Sequence, residues 1–257
     1  MSRSPQPPPP MFVPYRPLPL GHRRLLLWLL PLLTALALLL GVVLPWGQDA
    51  DGPGGRLPLP ALSGWLLDGP GAPQLLLPTG LPSDHGVARR ILLAGPGKTA
   101  PPAAVLAQSG HWVRLQGSVF ARGDLRVMNV RRATPLQPMP GSRQPVPGLA
   151  AAVDLGPVEL IGEIVDGKCF SGVMKPGAGK THRGCAIRCI SGGVPALLHT
   201  EGADHGGRDV LLVDSNGGTV NSRIAPLIAD RLRIRGQLLQ LDNLLLLRAD
   251  PSTYQPA

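Results

Sequence analysis

All three cysteines of the chain, Cys169, Cys185 and Cys189, fall in one short stretch, and His182 stands among them with the spacing C-x12-H-x2-C-x3-C. Thiolate sulfur and imidazole nitrogen are soft and borderline donors, a set suited to zinc and to Cu(I). Thr181 is placed to cap a short helix that Gly192 and Gly193 would stop. His182, Cys185 and Cys189 then sit at i, i+3 and i+7 on one helix face. The outer two are separated by about 10 Å of rise, so an unbroken helix strains to bring all three to one ion with bonds of ~2.0–2.3 Å. Two helix residues plus Cys169 make the easier set, and a distorted turn admits the fourth.

Three chemistries fit this pattern. The first is a metal site of Cys169, His182, Cys185 and Cys189. The second is a structural disulfide from Cys169 to Cys185 or Cys189, with an odd thiol left over. The third is a nucleophilic or redox cysteine, its thiolate favoured by nearby positive charge and a helix N-terminus. The spacing is neither a C-x-x-C redox pair nor a C-x-x-C-H haem attachment. No Ser-His-Asp order or carboxylate pair stands out, so no catalytic residue is assigned. Glu163 and Asp166, on and just after the strand entering the insertion, are placed to support the ligands from behind; Asp166 matches Asp68 of the cysteine-free copy, which favours a turn role for it, and Glu163, which matches Trp65, is the better functional candidate.

Five basic residues and no acid lie between positions 168 and 188. Lys180, Arg183 and Arg188 are accordingly the expected anion-binding group, against the plainer reading of a solvated basic face. A nucleotide cofactor is not expected. Residues 176–181 imitate a phosphate loop, but Met174 stands where its first glycine is required, and Gly97-Lys98-Thr99 fails in the same way with Leu92. His85, His111, His199 and His205 are scattered, although His199 and His205 lie close enough in sequence to join the cysteine site.

With their flanking residues, the cysteines form the pattern G-E-[IV]-V-D-x-x-C followed by H-x-x-C-A-x-x-C-x-x-G-G-x-P, spanning residues 162–195. This resembles a motif of uncharacterised bacterial exported or membrane-anchored proteins. The resemblance implies relatives with small β domains and carries no activity with it.

The surrounding elements follow from composition. Of 257 residues, 31 are Pro and 33 Gly, and they punctuate short apolar runs, which is the grammar of strands and turns. An internal repeat organises these runs. Residues 63–69 match 161–167 at an offset of 98, while residues 91–94 match 210–213 and residues 113–128 match 232–247 at an offset of 119. The second copy is thus the first with an insertion, and the insertion carries the cysteines. Glycines at equivalent mid-strand positions, Gly117 and Gly236, predict a bulge or barrel corner. Gly123-Asp124 and Asp242-Asn243 predict hairpin turns. Short helices are expected within residues 101–108 and 221–230. The fold class is therefore mainly β: two small OB-like β-barrels, at residues 59–133 and 158–250, the second with a Cys/His-bearing helical insertion at 168–195. Residues 47–58 and 134–157 read as linkers and 251–257 as a tail.

Ahead of these domains, residues 25–46 contain no charge and are long enough to cross about 30 Å of hydrocarbon as a transmembrane helix. Pro31 is tolerated in such a helix, and Trp28 and Trp46 lie near its two ends as interface anchors. A cleaved signal peptide has a shorter apolar core and a small-x-small site, which residues 44–48 do not supply. The Arg pair at 23–24 lacks the surroundings of a twin-arginine signal. Arg3, Arg16, Arg23 and Arg24 precede the run and Asp49 and Asp51 follow it. The positive-inside rule then leaves the Pro-rich tail of residues 1–24 in the cytoplasm. The expected setting is a single-pass protein of a bacterial inner membrane with its bulk in the periplasm. The expected partners are the lipid bilayer, through residues 25–46, and a membrane redox or metal-handling protein. Nucleic acid is not an expected partner despite a net charge of +9, because OB-like binders need aromatic stacking platforms and the aromatic residues here are few and dispersed.

Overall fold

A computed structural model describes residues 19–48, 54–78, 89–138, 148–201 and 209–257. The Pro-rich stretch over residues 1–18, Asp49, Asp51, His85, His205 and the side chain of Trp46 lie outside the described residues. The chain divides into two units, residues 1–50 and 51–257.

The first unit contains one helix, α1 (Leu20–Gln48). Within its segment Leu20–Leu44 the most apolar 18 residues have a mean hydropathy of 2.6, and the segment is about 38 Å long at ~1.5 Å per residue, enough to span a bilayer core of about 30 Å. Its large apolar side chains are exposed all round, Trp28 at 81 % and Leu27 at 64 % among them. A helix of this kind is a candidate membrane span or export signal.

The second unit contains two closed five-stranded barrels of the same topology. The first is built from β2 (Ala61–Asp68), β3 (Pro73–Leu76), β4 (Arg90–Ala94), β5 (Trp112–Arg122) and β6 (Leu125–Pro135), after a short strand β1 (Gly55–Leu57) that pairs with β5. The strands run in the closed order β5-β2-β3-β4-β6-β5, with β4 and β6 parallel. The second is built from β7 (Val153–Asp166), β8 (Ala196–Thr200), β9 (Asp209–Val213), β10 (Arg231–Leu241) and β11 (Leu244–Arg248), closed as β10-β7-β8-β9-β11-β10 with β9 and β11 parallel. A short strand β12 (Gln255–Pro256) adds to β10. A one-turn helix α2 (Ala103–Leu106) joins β4 to β5, and a 3-10 turn over Ala225–Leu227 lies between β9 and β10. Both barrels are OB-like.

The repeated glycines have a shared physical cause. A Cβ at Gly64 would stand 2.3 Å from the Leu76 carbonyl oxygen, and one at its repeat partner Gly162 would stand 2.1 Å from that of His199. Gly117 sits beside a register shift in the β5–β6 ladder, and a Cβ there would meet the Asn129 carbonyl at 2.1 Å. The hairpin turns fall at Gly123, with φ 50°, and at Asp242, with φ 54°.

Four strands reach into stretches that composition assigned to linkers and tail. β1 falls within 47–58, β6 ends at Pro135 and β7 begins at Val153 within 134–157, and β12 falls within 251–257. Prolines and glycines at barrel edges do not prevent short edge pairings.

Each barrel encloses its own core, centred on Leu66, Leu75 and Met128 in the first and on Ile164, Leu198 and Ile234 in the second. A third apolar cluster joins them. Leu92, Ala94 and Val127 of the first barrel pack with Val165, Leu211 and Val213 of the second. At its edge the β10–β11 turn is gripped by the start of β4. Arg90 Nε donates to Asp242 Oδ2 at 2.5 Å, and Asn243 exchanges hydrogen bonds with the Arg90 backbone at 2.7 and 3.1 Å.

Candidate metal and thiol centre

The insertion connects β7 to β8 through residues 167–195; in the first barrel, residues 69–72 connect β2 to β3. It begins at Asp166, the last residue of β7 and completely buried. Asp166 Oδ1 accepts from the Cys169 amide at 2.8 Å, fixing a wide helical turn over Cys169–Val173. Its Oδ2 bonds His182 Nε2 at 2.9 Å, and His182 is itself buried. A carboxylate oxygen accepts only, so Nε2 carries the ring proton in this pair. One side chain thus holds both the turn bearing Cys169 and the start of α3 (Arg183–Ser191). Glu163, three pairs back along β7, supports the same segment by accepting from the Gly179 amide at 2.7 Å.

The capping expectation changes in detail. His182, not Thr181, is the residue before the first turn of α3, and it makes no capping bond of its own. The helix ends as expected at Gly192, and Gly193 follows with φ 96°. These two glycines also allow a close approach. A Cβ on Gly192 would lie 1.8 Å from the Lys98 carbonyl oxygen, and the Ala100 amide donates to Gly192 O at 2.6 Å. Thus α3 is docked against residues 98–100 of the first barrel.

At this junction the three sulfurs converge. Cys169 Sγ lies 3.9 Å from both Cys185 Sγ and Cys189 Sγ, and all three lie within 4.8 Å of one another. They are free cysteines, at nearly twice a disulfide bond length of ~2.05 Å. Cys169 and Cys189 are buried among the apolar residues of the seam; Cys185 is half-buried. His182 does not complete this triangle: it groups with Asp166 and Cys169, again within 4.8 Å. The four residues expected as one ligand set therefore form two overlapping groups with Cys169 in both.

Two lysines surround the sulfurs. Lys98, on the β4–α2 connection of the first barrel, places Nζ 2.5 Å from Cys185 Sγ and 3.9 Å from Cys189 Sγ. Lys168 is buried and donates to the carbonyls of Gly95 and Gly97 at 2.6 and 2.8 Å, tying the same connection to the second barrel. Arg122 adds a third tie, with Nε donating to Phe170 O at 2.7 Å and its guanidinium 4.5 Å above the Phe170 ring.

The charges follow from these contacts. The Cys169 thiol donates to Cys189, which with the Lys98 charge lowers Cys189 to about 7 despite its burial. The same donation, together with burial, drives Cys169 far upward, so Cys169 keeps its proton where Cys189 loses its own. Lys98 is raised by its bond to Cys185, and Lys168 is lowered by burial. The Cys169–Cys189 pair therefore gives up its first proton from Cys189, on the side of the Lys98 ammonium.

The expected anion-binding group is largely committed elsewhere. Lys180 and Arg183 both pair with Asp230, the latter at 3.2 Å, and Arg183 also donates to Pro226 O at 2.7 Å. Arg188 is exposed on α3. His199 is paired with Asp209 at 2.9 Å and stacked obliquely on Phe170. The residues that sequence reasoning missed are Lys98 and Lys168. Lys98 lies in the other copy of the repeat, within a tripeptide noticed only for failing a phosphate-loop pattern. Lys168 was counted as surface charge. No family model, no curated protein and no solved structure matches the chain.

Proposed function

We propose that this is a membrane-anchored, extracytoplasmic accessory protein that binds a soft metal ion, zinc or copper, through Cys169, Cys185 and Cys189. The observation that carries the reading is the sulfur triangle. Three thiolates around one ion with bonds of about 2.3 Å stand roughly 3.8–4.0 Å apart in tetrahedral or trigonal geometry, and the Cys169 separations are 3.9 Å. The donor set is soft, largely shielded from water, and held by Asp166 and the docking of two barrels. Asp166 and His182 support the turn from behind. The Arg residues ahead of the charge-free run of residues 25–46 and the Asp residues after it favour an orientation with the barrels in the periplasm of a bacterial inner membrane. A membrane redox or metal-handling system is then the natural partner, and the resemblance of residues 162–195 to a motif of exported bacterial proteins supports that compartment.

A second reading, a thiol-redox protein, is favoured by the surroundings of Cys189, whose sulfur lies 3.9 Å from both the Cys169 sulfur and Lys98 Nζ, contacts that lower its pKa to about 7. One experiment separates the two. The full chain is purified in detergent without reductant, and its metal content and free thiols are measured together. One ion per chain with three thiols recovered after denaturation and chelation supports the metal site. Two thiols lost and no ion supports redox chemistry or a structural staple.

A further inference from the structure

Resting on the metal reading, we infer that the ion is three-coordinate Cu(I) and that Lys98 is the residue that discriminates against Zn(II). Structural zinc is almost always four-coordinate, and open zinc sites take a water in the fourth position. Here Lys98 lies against the sulfur cluster, with Nζ 2.5 Å from Cys185 Sγ and 3.9 Å from Cys189 Sγ. An ammonium group has three N–H donors and no lone pair. It can offset thiolate charge but cannot ligate.

Among the described residues, no further His, Cys, Asp or Glu joins the three sulfurs as a group. His182 is turned to Asp166 at 2.9 Å and shares only Cys169 with the cluster. Water is disfavoured on the inner side, where Cys169 and Cys189 are 4 % and 1 % exposed and pack with Val165, Phe170 and Leu197. Cu(I) is satisfied by soft thiolates, and its single charge leaves a three-thiolate cluster anionic, which a neighbouring ammonium stabilises. A divalent ion gains less from that neighbour and lacks its fourth ligand.

The test uses the full chain in detergent under anaerobic conditions, titrated with Cu(I) and with Zn(II) against competing chelators. Wild type, Lys98→Ala and Lys98→His are compared, with thermal unfolding as a control for fold. Lys98→His places a lone pair where the ammonium stood. The expected result is one Cu(I) per wild-type chain, weaker Zn(II) binding, and a gain in Zn(II) affinity of about tenfold or more in Lys98→His, with Cu(I) affinity unchanged or reduced. Equal Zn(II) affinities in wild type and both folded Lys98 variants would overturn the role of Lys98 while leaving the metal site intact. Failure of wild type to bind either ion would instead remove the metal reading on which the inference rests.

Discussion

Lys98 of the first barrel and Cys185 of the second meet with Nζ 2.5 Å from Sγ, although they are 87 residues apart in the chain. The contact makes the centre a property of the barrel pair. The second barrel supplies the sulfurs, and the first supplies the cation and the backbone against which α3 is seated.

That dependence gives a prediction at Gly192. Replacing it with Ala puts a Cβ 1.8 Å from the Lys98 carbonyl oxygen. Backbone must then move, at a cost typical of overpacking, about 1–3 kcal/mol. Gly184→Ala is the contrasting case, because its Cβ would meet nothing within 4 Å and the helix gains roughly 0.5–1 kcal/mol. Chemical denaturation of the two variants should move the midpoint in opposite directions.

Asp166 is the buried anchor of the cluster. Asp166→Ala leaves the Cys169 amide and the His182 ring without their acceptor, a loss of about 3–5 kcal/mol for a broken buried network. Asp166→Asn keeps an acceptor for the Cys169 amide and should be milder. The expected order in thermal unfolding is wild type, then Asn, then Ala, with metal stoichiometry falling in the same order.

The thiols differ in access. In metal-free protein Cys185, half-buried, should be alkylated first, while Cys169 and Cys189 react only on opening of the seam. Peptide mass spectrometry after a short exposure to iodoacetamide reads the order directly. Bound metal should protect all three.

The stability of metal-free protein should depend on pH through Cys189. Its folded value of about 7 lies below an ordinary thiol near 8.5. Its contribution is therefore fully present above about 8.5 and is lost as pH falls through about 7. Cys169, raised when folded, acts oppositely and removes stability as pH rises above the ordinary thiol value. Cys189→Ser should abolish the rise in stability between about pH 7 and 8.5, and Lys98→Ala should shift it upward, as followed by unfolding midpoints across pH.

Much of the architecture was legible because its causes are local. Gly117, Gly123 and Asp242 mark a bulge and two turns that only certain residues tolerate, and the repeat shows that one solution is used twice. The cysteine cluster was legible for the same reason, since its sulfurs lie within one insertion. The docking of the barrels was not. Leu92 and Val127 read as ordinary strand residues, and nothing in their spacing says that their outward faces bury Val165 and Val213. Lys98 and Lys168 were hidden for that reason, and so was the pairing of Lys180 and Arg183 with Asp230, which lies far along the chain.

The most direct measurement is X-ray absorption at the edge of the metal bound to the full chain. The account predicts a first shell of three sulfurs at about 2.3 Å, reduced by replacing any one of Cys169, Cys185 or Cys189 with serine. A first shell dominated by nitrogen or oxygen, or an ion retained unchanged when those cysteines are replaced, would contradict it.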